Sequence, residues 1–242
     1  MKICVAQTRP VKGDIQTNIE NHKAIIKLSL ANGAGIIIFP ELSLTGYEPE
    51  LAEALAIVPG DNRLDDFQQI SDASRVTIGV GMPTKNDAGI CISMIIFQPQ
   101  QAREIYSKKY LHADEEPYFI SGQNFTVLPG TKPSIALAIC YELSIPEHSE
   151  NAYKSGAAIY IASVAKTADG VIKASDNLSA IASKYSITVL MCNCVGHCDN
   201  FESAGTSSIW NDKGILIGQL DNSHEGIIMI DTHTQEIMKE MI

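Results

Sequence analysis

The chain has 242 residues, which suits one large domain or two small ones. Its 45% apolar and 19% charged residues are the balance of a soluble, well-packed globule. Acids outnumber bases 28 to 18, a net charge of -10, which argues against non-specific binding to nucleic acid or to an anionic membrane.

An anionic small substrate stays open, because a few local cations can dominate one pocket. No apolar run is long enough to cross a bilayer. The N-terminus, MKICVAQTRPVKGDIQ, turns polar after one strand's length and lacks the apolar core and cleavage site of a secretory signal. The six cysteines are spread through apolar segments without a disulfide-rich spacing, so reduced thiols and a cytoplasmic location are expected.

In chain order, Lys2–Gln7 reads as a first strand. Residues 14–31 read as a helix, since Ile15, Ile19, His22, Ile26 and Leu30 fall on one face, and Gly33 and Gly35 end it. GIIIF follows, wholly apolar like a strand covered on both faces, and runs into Pro40-Glu41. Residues 61–75 are a predicted helix and 76–80 a strand. Residues 90–97 and 103–107 form a strand pair across the polar turn Pro99-Gln100-Gln101. Residues 133–139 are an apolar strand ending at Cys140, and 146–155 a helix with proline in the tolerated first turn. A strand at 157–162 leads into a loop, SVAKTADG, then a helix at 176–185 and a strand at 187–192. Strands at 207–210, 215–217 and 226–230 close the sheets. The alternation predicts a layered α/β fold with mixed sheets and outer helices. No linker, repeat or charge block divides it, so residues 1–242 are expected to form a single domain.

Three reactive side chains sit where strands run out. Glu41 follows IIIF, Lys108 follows REIYS, and Cys140 follows SIALAI. Strand ends converge at one rim in layered α/β folds, and sites are built there. The residue types are complementary. A thiol attacks a carbonyl-like carbon as thiolate and needs a base or a cation beside it. A carboxylate takes the thiol proton and hands it to the departing amine. A fixed ammonium stabilises the charge that builds on the carbonyl oxygen. Each residue also has an ordinary role open to it: a solvated or capping Glu, a surface Lys, an inert buried Cys.

The segments FPELSLTGY (39–47), YSKKYL (106–111) and ICYELSIPE (139–147) occur in that order. They resemble the three motifs of the nitrilase superfamily of carbon–nitrogen hydrolases, and the likeness covers nearly the whole chain. In that register Glu41 is the general base, Lys108 rather than Lys109 the catalytic lysine, and Cys140 the nucleophile. EEPYFISG (115–122) is similar to a stretch carrying a second acid that positions the lysine, here Glu115 with Glu116 as its neighbour. GTSSI (205–209) resembles a late structural stretch. Membership implies a four-layer α-β-β-α sandwich of two mixed sheets and outer helices. It also implies homodimers or higher homo-oligomers stacked through those helices, a thioester or thioimidate intermediate released by water, and no metal or organic cofactor. The backbone N–H of Tyr141 would join Lys108 in holding the oxyanion. Ser107 stands where the family has arginine and Tyr110 where it has histidine, and 176–185 lacks the family's arginine-rich helix signature.

Two other readings compete. Cys192, Cys194, His197 and Cys198, in MCNCVGHC, are soft ligands of the kind zinc favours, without the paired Cys-x-x-Cys of structural modules. Strand alternation would point Cys192 and Cys194 to one face. A catalytically silent binding or assembly module is the other, and the retention of Glu41, Lys108 and Cys140 together speaks against it. Rapid alkylation of Cys140 through a perturbed pKa would discriminate. The expected reaction is release of ammonia or an amine from a small amide or carbamoyl compound, with nitriles less expected. Lys166, in the loop, is a candidate for binding a substrate carboxylate, or an exposed loop lysine. Tyr47, His112 and Tyr118 are candidate pocket walls, and His112 is equally a candidate surface residue.

Overall fold

A computed structural model describes residues 1–58, 60–123 and 127–242. Its strands are β1 (Lys2–Gln7), β2 (Ala34–Ile38), β3 (Thr77–Asn86), β4 (Gly89–Phe97), β5 (Glu104–Ser107), β6 (Ile135–Ile139), β7 (Ile159–Val164) and β8 (Thr188–Asn193). Then come β9 (Val195–Cys198), β10 (Phe201–Ala204), β11 (Ser208–Trp210), β12 (Leu216–Gln219), β13 (Gly226–Asp231) and β14 (Ile237–Met241). The helices are α1 (Ile15–Ala31), α2 (Ala52–Leu55), α3 (Asp65–Ser74), α4 (Pro146–Lys154) and α5 (Ala168–Tyr185).

One sheet has seven strands in the order β14-β13-β1-β2-β3-β4-β5, and the other five in the order β12-β11-β8-β7-β6. Both are mixed: β1-β2-β3 and β6-β7-β8 pair in parallel, and the remaining neighbours antiparallel. The period of two along each strand assigns the layers. Ile3, Val5, Ile36 and Ile38 meet Leu137, Ile139, Ile161 and Leu190 between the sheets. Cys4, Ala6 and Ile37 face the other way and meet Ile19 and Ile26 of α1 and Phe67 of α3. Ala136, Ala138 and Ala162 of the second sheet face Val171, Leu178 and Ile181 of α5. The result is the four-layer α-β-β-α sandwich. Each fully buried aliphatic side chain contributes about 1.5–3 kcal/mol to holding these layers together.

Local chemistry sets the element ends. Asp14 caps α1, accepting from Thr17 N at 3.0 Å. Gly35 lies in β2 rather than ending the helix before it. SVAKTADG is not one loop. Ser163 and Val164 end β7, and Thr167 caps α5 by accepting from Gly170 N at 3.1 Å. The helix therefore starts at Ala168, well before residue 176. The β9–β10 hairpin and β14 were not foreseen. Among the described residues no helix is long and apolar enough to cross a membrane.

Candidate active site

Glu41 stands on a turn that follows β2. Phe39 N donates to Gly79 O at 2.9 Å, and Phe39 O accepts from Ser163 Oγ of the other sheet at 2.9 Å. Residues 40–45 then reverse, with Ser43 N on Pro40 O at 3.2 Å and Leu42 at φ 49. The turn rests on β3: Leu44 N donates to Gly81 O at 3.0 Å, and Gly81 N to Ser43 Oγ at 3.2 Å. A Cβ on Gly81 would lie 2.4 Å from both Leu42 N and Pro40 O, so only glycine allows this approach. Behind the turn, His22 of α1 stacks on Phe39 at 4.1 Å and meets Ser43 Oγ through Nε2 at 2.9 Å.

Lys108 follows β5 and is wholly buried. Its N donates to Ile92 O and its O accepts from Gly122 N, each at 2.8 Å. Its Nζ donates to Glu41 Oε1 at 2.8 Å and to Glu115 Oε1 at 2.6 Å. Glu115 also accepts from Tyr47 OH at 2.9 Å and His112 N at 2.8 Å. The alternative lysine, Lys109, is exposed and lies over the Tyr110 ring, and Glu116 is exposed too. The structure thus brings Glu41, Lys108 and Glu115 into one buried ionic cluster, matching the register of the motifs.

Cys140 begins a 3-10 turn, Cys140–Ser144, directly after β6. Its φ of 42 is unusual for a non-glycine residue and costs about 1–3 kcal/mol. Tyr141, next in that turn, has an N–H with no intrahelical acceptor, as at any helix start. Cys140, Glu115, Tyr47, His112, Tyr118, Tyr141 and Lys166 all line one cavity of about 640 Å³. His112 is exposed and its ring pairs with Asp114 at 2.6 Å, so it belongs to the rim.

Burial is the largest influence on each catalytic candidate. It pushes the Glu41 carboxyl up, against the downward pull of Lys108. It also raises the Cys140 thiol, to about 11, with Glu41 adding to the rise and Lys166, then Lys108, opposing it. For Lys108 burial acts downward, but Glu41, Cys140 and Glu115 outweigh it and the ammonium is held charged. With its pKa raised in this way, the Cys140 sulfur rests as a thiol near the Glu41 carboxyl rather than as a preformed thiolate. Glu41 Oε2 is buried without a hydrogen-bond partner among the described residues, and the Cys140 side chain is a neighbour of that carboxyl. Of the six cysteines Cys140 alone is not fully buried. Its selective alkylation is thus expected from access, and not from a lowered pKa.

Two residues escaped the sequence reading. Asn193, the last residue of an apolar strand, holds Lys166 at both backbone atoms, its Oδ1 accepting from N at 2.9 Å and its Nδ2 donating to O at 3.2 Å. Glu142 appeared only as a letter of the third motif, yet it is wholly buried and, among the described residues, accepts from Tyr106 OH, Lys109 N and Ile139 N. A charged residue three places after an apolar strand was the available signal for it.

The cysteine-rich run does not form a ligand set. Cys192 lies between the sheets, its Sγ on Ala6 O at 3.0 Å and Ile38 O at 3.2 Å. His197 is exposed beside Glu202. Cys194 falls between β8 and β9 in a separate cluster, 3.7 Å from Cys198. Cys192 and Cys194 thus do not share a face, because the strand ends between them. Among the described residues no three metal-binding side chains come together.

A four-layer sandwich with a buried Glu-Lys-Glu cluster beside a cysteine defines a class of carbon–nitrogen hydrolases, and the comparisons agree. Residues 2–238 match the carbon-nitrogen hydrolase family, and the chain belongs to it. A glutamine-dependent NAD(+) synthetase of Thermotoga maritima is 24% identical over 99% of this chain and 43% of its own length. The chain spans less than half the length of the synthetase relatives it matches. A hydrolase in the agr operon of Staphylococcus aureus is 23% identical over 99% of this chain and 94% of its own. The solved amidase of Nesterenkonia sp. AN1 has the same fold, with a TM-score of 0.85 at 22% identity, over 96% of this chain and 92% of that one.

Proposed function

We propose that the chain is an amidase that cleaves a small amide or carbamoyl compound through a Cys140 thioester. The observation that carries this reading is the buried ammonium of Lys108 bonded to Glu41 and Glu115 beside the cavity that Cys140 lines. Glu41 Oε2 takes the thiol proton as sulfur attacks the carbonyl carbon. Lys108 Nζ and Tyr141 N–H stabilise the oxygen that becomes negative. The tetrahedral species collapses, the C–N bond breaks, and the amine leaves with the proton from Glu41. Water then gives a proton to Glu41 and attacks the thioester, and collapse returns the acid and the thiol. Glu115 keeps Lys108 charged and aimed. Support also comes from a mutant of the amidase of Nesterenkonia sp. AN1, whose active-site cysteine carries covalent adducts of acrylamide and of the acetamide moiety of fluoroacetamide.

Tyr47, Tyr118 and Tyr141 would surround the acyl group. Lys166 would bind a carboxylate at its far end. It is half-buried, its backbone is fixed by Asn193, and its ammonium forms no salt bridge among the described residues. The glutamine dependence of the synthetase relatives fits an amide that ends in a carboxylate. An ammonia-release screen over neutral amides, carbamoyl compounds and carboxylate-bearing amides tests the reading. Release from none of them, by protein whose Cys140 is intact, overturns it.

A further inference from the structure

β5 and β6 are terminal strands of different sheets. Lys108 directly follows the first and Cys140 the second, so no ladder of strand hydrogen bonds sets the distance between them. Packing of side chains alone would leave that distance soft. Glu142 bridges the gap. Its Oε1 accepts from Lys109 N at 2.7 Å, the residue after Lys108. Its Oε2 accepts from Ile139 N at 2.8 Å, the residue before Cys140. Oε2 also accepts from Tyr106 OH of β5 at 2.8 Å.

The other side of this carboxylate is ordered as well. Tyr106 OH gives its proton to Glu142, so the 2.9 Å contact to His148 Nε2 requires the histidine to donate. His148 Nδ1 then accepts from Tyr160 OH at 2.9 Å. Burial, the largest influence on His148, lowers its pKa and favours this neutral form. The chain Tyr160–His148–Tyr106 thereby fixes the carboxylate from β7, α4 and β5 at once. The bond to Ile139 N also braces the strained start of the Cys140 turn, in the way a third-position glutamate caps a helix.

We infer that Glu142 is a positioning residue that clamps the Lys108 segment of one sheet to the Cys140 turn of the other, and so sets the separation of ammonium and sulfur. The inference rests on the amidase reading for its kinetic consequence, while its geometric content stands on the hydrogen bonds alone. The carboxylate is used as a double acceptor, which a neutral isostere cannot reproduce. In Glu142→Gln one oxygen becomes an amino group. The atom facing Ile139 N and Tyr106 OH must accept two bonds, so the amide oxygen takes that place. Lys109 N then faces a donor and the tie to Lys108 is cut.

The test compares wild type, Glu142→Gln and Tyr106→Phe, the last of which removes one donor and leaves both backbone ties. For each, kcat and KM on an amide from the screen are measured, with the pH dependence of Cys140 alkylation by iodoacetamide and the melting temperature. Glu142→Gln is expected to lower kcat about 10- to 100-fold with KM within about three-fold, as a misplaced charge stabiliser would. The alkylation midpoint should move to higher pH, because a Lys108 that is no longer held opposes the rise of the thiol pKa less. Tyr106→Phe should show a smaller fall in kcat. A folded Glu142→Gln variant with wild-type kcat and an unmoved alkylation midpoint would overturn the inference. So would a loss confined to melting temperature. The alkylation curve needs no substrate, so it still decides the question if the amidase reading fails.

Discussion

Replacing Lys108 with methionine keeps most of the side-chain volume and removes the charge. The ammonium lies 2.8 Å from Glu41 and 2.6 Å from Glu115, with all three side chains at most 2% exposed. Losing one preorganised oxyanion donor raises a barrier by about 3–4 kcal/mol, so kcat should fall about 100- to 1000-fold. Stability should fall too, because two buried carboxylates lose their counter-charge, at about 3–5 kcal/mol while both stay ionised. For a chain of this size that is a drop in melting temperature on the order of 6–20 °C. The sign with pH follows from linkage. Without Lys108 the folded pKa of Glu41, already raised by burial, rises further above the unfolded value. Stability is then greatest below the unfolded carboxylate range and is lost as pH climbs through the raised folded value. The deficit should therefore be larger at pH 8 than at pH 5. Ammonia release gives kcat, and thermal melts at the two pH values give stability. More than a tenth of wild-type kcat, or an equal melting deficit at both pH values, would refute the reasoning. Lys109→Ala is the control: that side chain is exposed, and the change should alter kcat by no more than about two-fold.

Cys140→Ser should abolish turnover and leave the melting curve in place, since the site is half-buried and the swap removes little packing; residual turnover near wild type would displace Cys140 from the mechanism. The acid limb of kcat/KM should lie above the ordinary carboxylate range, because burial raises Glu41 and the base works only when deprotonated. A limb at or below pH 4 in a rate profile would contradict this. Lys166→Ala should raise KM for a carboxylate-bearing amide about 10- to 100-fold, the worth of a hydrogen bond to a charged group, and leave a neutral amide of the same length nearly unchanged. Equal effects on both substrates would remove Lys166 from recognition.

Apolar runs bounded by turn residues were legible as strands. KICVAQ, IALAI and the Ile90–Ile96 stretch each lie on a face that must be buried whatever its partner. The order of strands in the sheets was not legible, because β13 joins β1 across more than 200 residues on apolar character that suits several neighbours. The start of α5 was hidden by Thr-Ala-Asp-Gly, which reads as a turn until the Thr167 cap is seen. The β9–β10 hairpin was hidden because its residues read as ligands before they read as strands. The catalytic candidates were legible from motif order, yet the choice between Lys108 and Lys109 has a physical basis that only the fold displays. Lys108 turns inward to Glu41 and Glu115, while Lys109 turns outward over the Tyr110 ring. Glu142 was not legible as a clamp, because its three partners lie near in space and far apart along the chain.

The turn bearing Glu41 rests on Gly81, and the segment bearing Lys108 rests on Gly122, where a Cβ would come within 2.3 Å of Ser107 Cβ. The Glu41 and Lys108 side chains are thus aligned by places where the polymer carries no side chain. A methyl group added at either spot touches no substrate and changes no charge, yet it wedges two backbones apart and tilts the functional group above it. Under the proposed reading, sequence variants that leave every candidate reactive residue in place would still abolish turnover from underneath, because the smallest residue of the chain governs the aim of Glu41 and Lys108.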